Sequence, residues 1–123
     1  MSKLLALFLG GISLWGLEFH SYEEALTLQK NSGKMIMIDV VKTGCHYCEN
    51  MDAKVLQDKV MSQYLEKKII AVRLYLDKDK LLLGMKVDFT PTFYFLDTKQ
   101  NIIKKVPGSW NIKDFKSIIE GIK

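Results

Sequence analysis

The sequence predicts an α/β sandwich, with a mixed central sheet of four or five strands and helices on both faces. Three observations predict it. Two continuous apolar runs, Met35–Val41 and Ile69–Leu76, have the length and β-branched content of strands buried on both faces. Segments with helix caps and helical spacing flank them. The chain closes on an apolar run, a polar turn and a second apolar run, the pattern of an antiparallel hairpin, and then one amphipathic stretch. With 123 residues, 48% apolar and 26% charged, there is room for one ordinary domain and a short extra segment. A disordered or collagen-like chain is excluded.

The extra segment comes first. Lys3 is the only charge in residues 1–17, and an apolar run follows it from Leu4 to Leu17. This is the pattern of a secretory signal peptide. Fourteen residues of helix rise about 21 Å, short of the roughly 30 Å core of a bilayer, so an uncleaved membrane anchor is the second reading, and a buried first strand or helix of the domain is the third. No Ala-x-Ala marks a cleavage site. The folded domain is expected over 18–123, outside the cytoplasm, where disulfide chemistry is permitted.

Ser21-Tyr22-Glu23-Glu24 has capping-box spacing, with Ser21 as N-cap and Glu24 reaching back. Ala25, Leu26 and Leu28 supply the apolar face, and Asn31–Gly33 end that helix. The strand Met35–Val41 follows, with Asp39 the one acid inside it. A helix starts near Cys45 and carries Cys48, Met51, Asp52 and Val55. Asp58 caps the next helix, with Val60, Met61, Tyr64 and Leu65 inward. After the strand Ile69–Leu76, Asp77–Lys80 is a charged turn and Leu81–Leu83 a short helix ended by Gly84. Thr92–Leu96, the turn Thr98–Asn101 and Ile102–Val106 make the hairpin. Asn111 caps a last helix with Phe115, Ile118, Ile119 and Ile122 on one stripe.

The net charge of +4 comes without a Lys/Arg cluster, which fits a cationic solvated surface and no nucleic-acid partner. Two cysteines are too few for a disulfide framework or a four-cysteine zinc site, and no metal centre is expected. The methionines in apolar runs read as core filling. His20 reads as a surface residue, and Trp110 as a packing residue.

Both cysteines lie in Cys45-His46-Tyr47-Cys48, at a strand-to-helix junction. There the free N–H groups and positive dipole end of a helix stabilise a thiolate at Cys45. Cys48 lies one turn on and deeper. An exposed thiolate attacks a disulfide, and the second thiol resolves the mixed disulfide.

With these residues in view, the chain resembles the thioredoxin superfamily over nearly all of Glu18–Lys123. Three separated features carry the resemblance. They are the Cys-x-x-Cys after a strand, Asp39 six residues before Cys45, and Thr90-Pro91-Thr92 just before the hairpin strand. Gly108 also falls where the family has a glycine before its last helix. The stretches Gly44–Met51 and Thr90–Asp97 are similar to exported bacterial members, the SoxW-like group and relatives of DsbC and the DsbD C-terminal domain. The Trp-Cys-Gly-Pro-Cys of cytoplasmic thioredoxin is absent.

The resemblance implies a thioredoxin fold and a role for each residue. Cys45 is the attacking thiolate and Cys48 the resolving thiol, with their disulfide as the redox centre and no other cofactor. Asp39 is the buried acid with a raised pKa that takes the Cys48 proton; its other reading is a strand-end acid satisfied by backbone donors. Pro91 is cis and sets the Thr90 backbone beside Cys45 to pair with substrate. His46 tunes the thiolate when protonated, or else is simply exposed. Glu49 opposes it if close, and Tyr47 is a contact and shielding residue.

The leading expectation is therefore a monomeric periplasmic disulfide reductase acting on protein disulfides or thiols. A membrane thiol carrier of the DsbD or CcdA kind supplies its electrons. The alternatives are a DsbA-like thiol oxidase, a copper(I)-binding module using Cys45, His46 and Cys48, and a thioredoxin-fold binding module without turnover.

Overall fold

The structure, a computed structural model, describes residues 16–122. The leader or anchor expected at 1–17 falls outside the described residues up to position 15. Leu17, at the other end of that segment, is buried in the core.

Among the described residues, five strands form one mixed sheet, flanked by four helices. In chain order these are β1 (Phe19–His20), α1 (Tyr22–Ser32), β2 (Met35–Val41), α2 (His46–Met51), α3 (Lys59–Lys68), β3 (Ile69–Tyr75), β4 (Thr92–Leu96), β5 (Ile102–Pro107) and α4 (Ile112–Glu120). The strand order is β1-β3-β2-β4-β5. β3 runs parallel to both β1 and β2, whereas β4 is antiparallel to β2 and to β5. The two-residue strand β1 is an addition to the expected elements, being too short to show a pattern in sequence.

β2 lies in the middle, and residues Ile36–Val41 are all buried. Alternation sends its side chains to two cores. Ile36, Ile38 and Val40 pack with Ala25 of α1 and with Ile70, Val72, Tyr94 and Leu96. Met37 packs on the opposite face with Met51, Leu56, Leu65, Phe93, Phe95 and Phe115. Asp39 has the same parity as Met37, so it lies on the face covered by α2, α3 and α4.

The caps are the expected ones. Ser21, Asp58 and Asn111 each accept a backbone N–H three residues on, and Gly33 closes α1 at φ +74°. Glu24 differs. Its carboxylate meets His20 Nδ1 at 2.6 Å instead of returning to the Ser21 backbone. Within α1, Gln29 is buried and Leu28 exposed, because Gln29 donates to the Lys34 and Asp97 carbonyls.

Three further expectations are corrected. Val60 is 75% exposed; Met61 and Leu65 face inward as expected, and Ser62 joins them in place of Val60. Leu81–Leu83 is not helical. Leu83 has φ +55°, and Leu81 and Leu82 are spent on the α1-side core as part of an irregular loop. Between α2 and α3 the chain widens into a π-helical turn, Asp52–Leu56, where the Gln57 N–H reaches back to the Asp52 carbonyl. That turn buries Val55 and Leu56 side by side.

The Phe93 and Phe115 rings, 4.9 Å apart, tie α4 to the sheet. Phe115→Ala is expected to lower stability by about 3–5 kcal/mol, measured by urea unfolding.

Candidate active site

The site stands at the C-terminal end of β2. After Val41 the chain turns through Lys42–Gly44, where Gly44 takes φ +74° and the Cys45 N–H closes the turn onto the Lys42 carbonyl at 3.2 Å. Cys45 is the N-cap of α2, and its sulfur accepts the Cys48 N–H at 3.1 Å. An N–H pointed at that sulfur favours a thiolate there once the dithiol is formed. Cys45 and Cys48 are joined by a disulfide. Cys45 is half-buried, whereas Cys48 is 6% exposed. One sulfur is thus reachable and the other is not.

The loop before β4 faces Cys45. The Thr90–Pro91 peptide bond is cis. The Thr90 hydroxyl donates to Cys45 Sγ at 3.2 Å, and the Thr90 carbonyl oxygen lies 3.6 Å from the same sulfur. Three residues hold the loop. Thr92 Oγ1 donates to the Phe89 carbonyl, the Tyr94 hydroxyl engages both the N–H and the carbonyl of Lys86, and the Gly108 N–H donates to the Pro91 carbonyl at 2.8 Å. Gly108 has φ +95°, which a residue with a Cβ rarely adopts. A groove of about 480 Å³ runs beside Cys45, walled by exposed Tyr47 and Phe89.

Asp39 lies beneath, 1% exposed. Arg73, its register partner on β3, donates to Asp39 Oδ2 at 2.7 Å. The same guanidinium nitrogen donates to Asp52 Oδ1, and the group sits 4.0 Å from the Phe19 ring centroid. Among the described residues, Asp39 Oδ1 has no hydrogen-bond partner. Burial pushes the Asp39 carboxyl up to about 6; the pull of Arg73 opposes this without cancelling it, and the Asp52 charge adds to the rise. Burial alone would lower the Arg73 guanidinium, but the two carboxylates outweigh it and hold it above its ordinary value.

Of the residues named from the sequence, Thr90 meets Cys45 next to the cis bond to Pro91, while Asp39 is buried within β2 against Arg73. Sequence reasoning does not name Arg73 or Asp52 as site residues. Both leave a signal. Arg73 is the only charge in its apolar strand, as Asp39 is in the neighbouring one. Asp52 lies four residues after Cys48, which is one helical turn. His46 stands apart: its side chain is 92% exposed and pairs with Glu49 at 3.6 Å. Among the described residues, no three His, Cys, Asp or Glu side chains gather as a metal-binding group.

Comparison with known proteins agrees with this geometry. A thioredoxin-like domain family model matches residues 22–123. No curated protein sequence matches the chain. Among solved structures, the chain is similar to a thioredoxin from Thermus thermophilus, at 29% identity, TM-score 0.75 and 85% coverage of each chain. The DsbH oxidoreductase matches at 18% identity and TM-score 0.70, over 89% of this chain and 86% of that one. The reduced C-terminal domain of DsbD from Neisseria meningitidis matches at 16% identity and TM-score 0.66, over 82% of this chain and 93% of that domain. At such identities the last two speak for the fold alone.

A carboxyl titrating near 6 when folded and near 4 when unfolded binds more protons in the folded state between those values. Its contribution therefore weakens stability as pH rises from about 4 to about 6, and levels off above. Asp39→Asn is expected to flatten this stretch of the pH–stability curve, measured by urea unfolding at a series of pH values.

Proposed function

The chain belongs to the thioredoxin-like family, and on that premise we propose that it is an exported thiol–disulfide oxidoreductase working as a reductase of protein disulfides. One observation carries the reading: a reachable Cys45 sulfur, held between the Cys48 N–H and the Thr90 hydroxyl, is paired with a buried Cys48.

The reaction runs in two exchanges. The Cys45 thiolate attacks one sulfur of the substrate disulfide, giving a mixed disulfide and a substrate thiolate that takes up a proton. Cys48 then loses its proton and attacks the Cys45 sulfur, closing Cys45–Cys48 and releasing the second substrate thiol. Two electrons pass from the dithiol to the substrate. Asp39, beneath the pair, takes the Cys48 proton. The Thr90 backbone, presented by the loop at Pro91, pairs with an extended substrate segment. Tyr47 flanks the groove that this segment would enter, and His46, paired with Glu49, adds a titratable group at its edge.

The resemblance to exported bacterial members supports the reducing direction, with electrons drawn from a membrane thiol carrier of the DsbD or CcdA kind. The leader-like residues 1–17 support export to the periplasm, as a monomer, with that segment removed or kept as an anchor. Among the described residues, no helix is long and apolar enough to cross a membrane.

Purified protein is expected to reduce insulin disulfides with dithiothreitol, and Cys45→Ser to abolish this. Cys48→Ala is expected to trap substrates on Cys45 in cells; a mostly dithiol wild-type site after acid trapping and alkylation supports the reductase, and a mostly oxidised one the oxidase. The mass of the mature protein in its native host is expected to lack about the first 17 residues. A full-length soluble product in the cytoplasm counts against export.

A further inference from the structure

Asp39 is well placed to hold a proton and badly placed to lose one. It is 1% exposed, and its hydrogen-bond partner is Arg73, which stays protonated and relays nothing. Asp52 is placed otherwise. It lies one turn after Cys48 on the same helical face, and helical side chains lean back toward the N-terminus. Its N–H bonds the carbonyls of both Cys48 and Glu49, which anchors it where α2 passes into the π-helical turn. Its side chain is 30% exposed. A cleft of about 260 Å³ adjoins the groove beside Tyr47 and Phe89, sharing Lys42–Cys45 with it, and reaches Cys48, Asp52 and Arg73; Asp39 does not line it.

We propose that Asp52 exchanges the Cys48 proton with solvent through this cleft, alongside Asp39, and that Arg73 is the positioning residue that holds Asp52 over it. The inference rests on the oxidoreductase reading and adds a step to it. On this second route of the resolving exchange, Cys48 S–H gives its proton to the Asp52 carboxylate instead of Asp39, Cys48 sulfur bonds to Cys45 sulfur, and the substrate sulfur leaves as thiolate. Asp52 then returns the proton to the solvent of the cleft. Arg73 faces Asp52 from β3 and donates to its Oδ1. Asp39, behind Arg73, accepts from the same guanidinium nitrogen. The remaining ionisable groups lining the cleft are Lys42, Glu49, Tyr75 and Lys78.

The test separates the two exchanges. Reduced protein is mixed with the aryl disulfide 5,5′-dithiobis(2-nitrobenzoate) in a stopped-flow cell, and the coloured thiolate is followed. The first equivalent reports attack by Cys45, and the second reports closure by Cys48. Asp52→Asn is expected to slow the second phase about tenfold or more near neutral pH, with the first phase changed by less than about threefold. Asp52→Glu restores the second phase, and the deficit shrinks in alkali as Cys48 ionises unaided. Arg73→Met slows the second phase while sparing the first, and Arg73→Lys restores part of it.

A second phase in Asp52→Asn within about twofold of wild type at every pH overturns the inference, as does equal slowing of both phases. If Asp52→Asn does not fold, Asp52→Ser and the Arg73→Lys profile give the same two readings. A wild-type protein that releases neither equivalent overturns the oxidoreductase reading itself.

Discussion

The central constraint is the burial of β2 on both faces and both edges. β3 pairs with one edge over Met35–Val41 and β4 with the other over Ile36–Val40. A strand so enclosed has one register, because a slip of one residue would exchange its two apolar sets between the cores. That register fixes the place of the dithiol, since the chain leaves β2 at Val41 and reaches Cys45 after a three-residue turn. It also sets Asp39 opposite Arg73 on one side and opposite Phe93 on the other.

A carboxylate in such a strand is tolerated only with a partner. Arg73 supplies it from the parallel neighbour, while the Phe19 ring of β1 covers the guanidinium. Burial still prevails over this pairing, since the Asp39 carboxyl remains high, at about 6. The short edge strand β1 thus has a role beyond closing the sheet. It screens the cation that pairs with both Asp39 and Asp52.

The dithiol draws on three separate parts of the chain. The N-terminus of α2 supplies the Cys48 N–H, the loop before β4 supplies Thr90, and Asp52 comes from the π-helical turn. Only the first is local to the cysteines. The loop at Thr90 is set by Thr92, Tyr94 and Gly108, all from the hairpin and its exit, so the hairpin positions the site as well as completing the sheet.

The sequence by itself determined the order of the long elements, the three helix N-caps, the strand with both faces buried and the cysteine pair at its end. These are local patterns, set by backbone propensity, capping chemistry and apolar periodicity. The tertiary structure alone decided the two-residue strand β1, the inward turn of Ser62 and Gln29 in place of Val60 and Leu28, and the irregular path of Leu81–Leu83. It also joined Asp39, Arg73 and Asp52, which are spread over more than thirty positions. Each of these depends on which surface faces which. A lone charge in an apolar strand signals that it needs a counter-charge, but only strand pairing and helix placement choose the group that answers it.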